Sequence, residues 1–179
     1  EALRRDPSDA RVNTALGILY LKRGLNGEAE NRLKTAVARL TFNYTRPKDG
    51  EPFYYLGVAL RRLGRAEEAA DDFERAAWSP AWRSVSFLEL AEMAAAEGDF
   101  EAALDFIART DGTGAGSMTA LNLKTALLRR LGRAEESAAT ATAARAATSP
   151  APAAAAARRL PTRRRWRMPC GSDSGRAAR

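Results

Sequence analysis

Leu56-Gly57-Val58-Ala59-Leu60-Arg61-Arg62-Leu63-Gly64-Arg65-Ala66-Glu67-Glu68-Ala69-Ala70-Asp71-Asp72-Phe73 decides the fold. A Leu-Gly pair is followed after seven residues by Gly64, after five more by Ala69 and after four more by Phe73. The pattern returns downstream. Gly64, Gly98 and Gly132 lie 34 residues apart, with Ala69, Ala103 and Ser137 five further on and Phe73, Ile107 and Ala141 four beyond those. An upstream copy runs through Leu16, Gly17, Tyr20, Gly24, Ala29, Leu33 and Ala36, offset from the next by 40. Within each copy apolar residues recur every three or four positions, so each segment is a helix with one buried stripe. A period of this length is that of a stacked helical hairpin.

The first helix is predicted from about Asp9, with Ser8 or Asp9 as N-cap, to about Arg23, and its partner from 27 to 40. The next pairs are predicted over 50–63 and 66–78, 84–97 and 100–110, 118–131 and 134–147. Glycine closes each first helix, where a left-handed backbone ends it without a Cβ penalty. Arg65, Asp99 or Arg133 opens the second. Gly17, Gly57 and Ala91 are expected where paired helices cross, facing Ala29, Ala69 and Ala103. A Leu at any of them would overpack the crossing by about 1–3 kcal/mol. The fourth copy has Ser137 and Ala141 where the second has Ala69 and Phe73, so its second helix is expected to dock weakly and fray.

Spacing and residue types together resemble the tetratricopeptide repeat. The resemblance implies an all-α, right-handed α-α superhelical solenoid of about four hairpins over 1–147, with repeats at about 10–43, 50–83, 84–117 and 118–147. A narrower resemblance is to the helical arm of large bacterial proteins that carry a domain of unknown function 5107. It is carried by Gly-Glu-Pro-Phe-Tyr-Tyr-Leu-Gly at 50–57, Leu-Arg-Arg-Leu-Gly-Arg at 60–65, Ala-Ala-Trp-Ser-Pro-Ala-Trp-Arg-Ser at 76–84, Leu-Asn-Leu-Lys-Thr-Ala-Leu-Leu-Arg-Arg-Leu-Gly-Arg at 121–133 and the six-residue excess near Arg46. It implies a β-rich N-terminal neighbour with a carbohydrate-related role. Glu1-Ala-Leu-Arg-Arg-Asp-Pro7 reads as a helix end, so a piece of a longer chain is expected.

The formal charge of +7 sits in one place. Residues 1–144 hold 20 Lys and Arg against 21 Asp and Glu, whereas 145–179 hold nine Arg against Asp173. Basicity therefore describes the tail. Its Ala, Pro and Arg composition cannot build a core, and 148–179 are expected to be disordered, as a natural tail or an out-of-frame product. No apolar run approaches the roughly 18 residues of a membrane-spanning helix, so a soluble, cytoplasmic chain without a membrane partner is expected. Cys170 is the single cysteine, which excludes an intrachain disulfide.

Catalysis has little to draw on. With no histidine and one cysteine, the common bases and metal ligands are missing, and no enzyme activity, cofactor or metal is expected. The acid pairs Glu67-Glu68, Asp71-Asp72 and Glu135-Glu136 read as solvated helix faces. Asp111-Gly-Thr-Gly-Ala-Gly-Ser117 lacks the spacing and preceding strand of a dinucleotide loop and reads as a turn. Trp78 and Trp82 are expected to wedge a repeat junction, and Tyr54 to be the outward-facing ring of the Phe53-Tyr54-Tyr55 run.

The resemblance implies that a protein or peptide partner, or the neighbouring N-terminal domain, binds the concave face made by the first helices. Its positions hold Arg11, Thr14, Ile18, Leu21 and Lys22; Glu51, Tyr54, Val58, Arg61 and Arg62; Val85, Leu88, Glu92, Ala95 and Ala96; Thr119, Asn122, Ala126, Arg129 and Arg130. An apolar trough with basic ends is expected. Where chaperone-binding relatives clamp a terminal carboxylate with Lys, Asn and Arg, this chain has Thr14, Ile18, Tyr55, Val85 and Glu89, so that clamp is missing. The alternatives are an accessory arm of a carbohydrate-processing enzyme, or nucleic-acid binding, unlikely and only through Arg163-Arg-Arg-Trp-Arg167.

Overall fold

The computed structural model describes residues 2–43, 49–110 and 117–148. The glycine loop at 111–116 and the tail with Cys170 and Arg163–Arg167 lie outside them. Among the described residues the order is α1 (Ala2–Arg5), α2 (Ala10–Lys22), α3 (Asn26–Thr41), α4 (Glu51–Arg62), α5 (Ala66–Ala76), α6 (Pro80–Glu97), α7 (Phe100–Thr110), α8 (Met118–Arg130) and α9 (Ala134–Thr148), with no strand. No helix among them is long and apolar enough to cross a membrane.

Local chemistry sets the ends. Asp9 caps α2 by accepting from the Val12 amide at 3.0 Å. Asn13, fully buried, donates to the Pro7 and Asp9 carbonyls at 2.9 Å each and pins the preceding turn. Asp9→Ala is expected to cost about 1 kcal/mol, read as a lower denaturant midpoint with an unchanged m-value. Gly24, Gly64, Gly98 and Gly132 all take positive φ, between 72° and 88°. A Cβ at any of them would meet nothing in space, so it is the backbone conformation alone that demands glycine. The largest departure from the expected boundaries is α6, which begins at Pro80 rather than 84. Pro80 occupies the first helical position after an extended Ser79, a place where a missing N–H costs nothing.

Helices pack in hairpins, α2 on α3, α4 on α5, α6 on α7 and α8 on α9. Successive first helices also touch, α2 with α4, α4 with α6 and α6 with α8. The first helices therefore line the inner side and the second helices the outer. The result is a right-handed α-α superhelical solenoid.

The core repeats with the sequence. Leu33, Phe73 and Ile107 occupy the same place in three second helices and are essentially inaccessible, beside Ala29, Ala69 and Ala103. The helix crossings differ from expectation in one respect. A Cβ on Gly17 would lie 2.5 Å from Leu33 Cγ, and one on Gly57 would lie 2.8 Å from the Phe73 ring. The glycines make room for these large side chains, one turn beyond the alanines that had been expected to face them. Gly50 is a close approach that the sequence did not signal: a Cβ there would sit 2.6 Å from the Ala76 carbonyl oxygen. In α9, Ser137 and Ala144 are buried, so small side chains alone dock this helix.

Candidate functional site

The inner side is built from α4 and α6. Tyr54 is half-buried rather than outward-facing. Its ring lies 5.1 Å from Trp82, 5.3 Å from Tyr55 and 5.7 Å from Phe73, and its hydroxyl donates to Glu89 Oε1 at 3.1 Å. Burial, reinforced by the Glu89 carboxylate, pushes this phenol well above its ordinary range. Trp82 also meets Tyr55, at 5.6 Å, and so acts as the wedge expected at the junction. Trp78 does not; it is 44% exposed.

Arg61 pairs with Glu89 and with Glu92, the latter at 3.2 Å. Arg62 donates to the Leu21 carbonyl at 3.0 Å, closing the C-terminal end of α2. Two of the expected basic groups are thus committed within the protein. Glu89 is the hub of this arrangement, and sequence reading placed it only in the missing clamp. The signal that could have found it was its register on α6, one turn from Glu92 and facing the α4 arginine. Val58, Arg61, Arg62, Glu89 and Glu92 line a groove of about 260 Å³, so the middle of the trough is charged rather than apolar as expected.

Two further grooves flank this one. Arg11, Thr14, Ile18, Leu40, Glu51 and Pro52 are among the residues lining about 360 Å³ between α2, α3 and the start of α4. There burial, with Asp49 adding to it, raises the Glu51 carboxyl above its usual range. Asn122, Thr125, Ala126 and Arg129 of α8, with Ala141 and Arg145 of α9, line about 310 Å³. Leu21 and Thr14 are buried, and Leu88 packs against the second core cluster, so these three shape the fold. Arg11, Lys22, Val85, Ala96, Thr119, Asn122, Ala126, Arg129 and Arg130 are exposed.

On the outer helices, Glu67, Glu68, Asp71, Glu135 and Glu136 are exposed, but Asp72 is buried. This corrects the reading of Asp71-Asp72 as a solvated pair. Burial pushes the Asp72 carboxyl up to about 6, against a weak opposing pull from Arg75, 3.9 Å away. Among the described residues no group of three or more His, Cys, Asp and Glu could hold a metal ion. Arg65 joins adjacent hairpins through Glu30, at 2.5 Å, and Glu68. Arg133 does the same through Glu101, at 3.6 Å, and Glu136, at 2.7 Å.

No family model matches the chain. Solved structures share its architecture. It is similar to MamA, with 21% identity over 82% of each chain and a TM-score of 0.72. It is also similar to YrrB, described as a TPR protein with an unusual peptide-binding site, with 20% identity over 82% of this chain and 73% of that one and a TM-score of 0.64. PilW, described as a widely conserved type IV pilus biogenesis factor, has 19% identity over 81% of this chain and 65% of that one, with a TM-score of 0.67. At such identities the likeness speaks for the backbone, and with the recurring glycines and the hairpin packing it places this chain in the tetratricopeptide-repeat fold.

Proposed function

We propose that this chain is a noncatalytic scaffold that holds a protein or peptide partner, or a neighbouring domain of its own polypeptide, in the trough lined by α2, α4, α6 and α8. The observation that carries the reading is the groove over Val58, where Arg61 is held between Glu89 and Glu92. A guanidinium fixed by two carboxylates beside Val58 presents an ordered polar surface, and ordering it in advance lowers the cost of binding. Arg11 and Lys22 at one end and Arg129 and Arg130 at the other are exposed cations. They favour a partner with acidic ends.

The test places a photo-crosslinking residue at Val58 and, in a second version, at the exposed outer position Asp71, within the whole protein in its own cells. A discrete crosslinked partner is expected from position 58 and not from 71. Arg11→Glu together with Arg129→Glu is expected to reduce that crosslink about tenfold, the scale of 1.4 kcal/mol. Crosslinking from 71 alone, or crosslinking from 58 that is indifferent to the charge reversals, would overturn the reading.

A further inference from the structure

The groove between α8 and α9 repeats, 68 residues further on, the groove between α4 and α5 that α6 fills. Met118, Asn122, Arg129 and Ala141 stand where the earlier pair of helices has Gly50, Tyr54, Arg61 and Phe73, and all four line a space of about 310 Å³. α6 packs on both α4 and α5. It meets Tyr54 through Trp82, with ring centroids 5.1 Å apart, and Arg61 through Glu89 and Glu92, the latter at 3.2 Å. Among the described residues no helix follows α9, so none takes the place of α6 on this second groove.

The lining fixes what a helix docked there must carry. Arg129 has the register of Arg61 but neither of its carboxylates: it makes no ion pair or side-chain hydrogen bond among the described residues, and no acid lines the groove. Arg145, which also lines it, is already engaged and is not counted. At the start of α9, Glu136 is committed to Arg133. A guanidinium has five donors in a planar fork, enough for two carboxylates. Met118 sets a second requirement. A Cβ on Gly50 would lie 3.2 Å from that of Trp82, so the earlier groove seats its indole against a bare glycine, and Met118 fills that room in the later one. The sequence after α9 does not meet these terms: residues 149–179 hold eight Arg and one acid, Asp173, and a groove whose unpaired charge is a guanidinium repels them.

We propose that the α8–α9 groove docks a helix of a partner protein that carries two carboxylates three residues apart and a small side chain seven residues before the first of them. The carboxylates take Arg129 as Glu89 and Glu92 take Arg61, the Asn122 amide donates where Tyr54 donates its hydroxyl, and the small side chain lies over Met118. Asn122 and Arg129 also border the trough, but this groove is set apart by its α9 wall. The docked helix lengthens the stack by one element, whether or not the trough holds a ligand.

The experiment titrates the full chain with a peptide of the α6 sequence, 80–97, carrying Trp82→Ala and held helical by a lactam bridge, and with the same peptide carrying Glu89→Gln and Glu92→Gln. The amide signals of Asn122, Ala126 and Ala141 and the Arg129 Nε–H are followed by NMR. The acidic peptide is expected to shift all four saturably, and the Gln peptide to bind about fivefold more weakly, as two partly exposed ion pairs allow. Restoring Trp82 in the acidic peptide is expected to weaken it about tenfold through the clash with Met118. In Arg129→Gln, a substitution at an exposed position, the acidic and Gln peptides are expected to bind equally. Equal affinity of the two peptides for the unsubstituted chain, no saturable shift, or shifts at Tyr54 and Phe73, where the peptide would be replacing α6, would overturn the proposal. So would shifts of the same four signals with chain concentration alone, which would make a second copy the occupant through its exposed Asp71 and Glu74. Shifts centred on Val58 would overturn it too, while supporting the trough.

Discussion

Phe73→Ala is expected to destabilise the fold by about 3–5 kcal/mol. Phe73 is wholly buried, touches the Tyr54 ring and fills the space that Gly57 leaves open. Removing the ring leaves a cavity lined by well-ordered helices that cannot collapse into it. The coupling to Gly57 makes the expectation specific. Gly57→Ala alone puts a Cβ 2.8 Å from the ring and is expected to cost about 1–3 kcal/mol by overpacking. In the Phe73→Ala background the same substitution meets empty space and is expected to cost almost nothing, so a double-mutant cycle in urea should give a coupling of about 1–3 kcal/mol. Additive losses would show that the glycine is not there to admit the ring.

The second large effect depends on pH. Asp72 has a folded-state pKa of about 6, above the 3.8 it would have unfolded. Below about pH 4 the carboxyl is protonated in both states and imposes no penalty. As pH rises through 6 the folded protein must ionise a buried group, and the stability that protonation gave is lost. Asp72→Asn removes that penalty. It is expected to stabilise the fold by about 1–3 kcal/mol at pH 7–8 and to change little at pH 4. Denaturant midpoints of both proteins across that range check it. A loss of stability at pH 8 would point instead to an ion pair with Arg75, and a difference that stays constant with pH would rule out any role for ionisation of Asp72.

The reason Asp72 escaped sequence reading is instructive. Asp71 and Asp72 are chemically identical neighbours, and helical rotation of about 100° per residue puts one in water and the other against the core. Backbone architecture was legible because glycine, small-residue and large-residue positions recur at a fixed interval, and each has a steric cause. Boundaries were legible wherever a glycine took positive φ, and least so at Pro80, where the helix begins four residues before the predicted start. The inner surface was legible only as a set of positions. Arg61, Arg62 and Tyr54 fall where the repeat puts them, but which of them are spent within the protein depends on partners 28 to 41 residues away, such as Glu89 and the Leu21 carbonyl. No short-range pattern encodes such pairings.

The interior of the described helices divides into two groups that meet within α6: Leu90 belongs to the group anchored by Leu33 and Phe73, and Ala91 to the one anchored by Ile107 and Leu127. In a one-dimensional array, stability is a sum of local units and the interfaces between neighbours, so a weak interface becomes a wall between cooperative blocks. α6, at 18 residues the longest described helix, belongs to both groups. The C-terminal block, closed by alanine and serine on α9, is expected to open first under denaturant, leaving the N-terminal block folded. Amide exchange should accordingly slow in one step on passing from α7 back to α5.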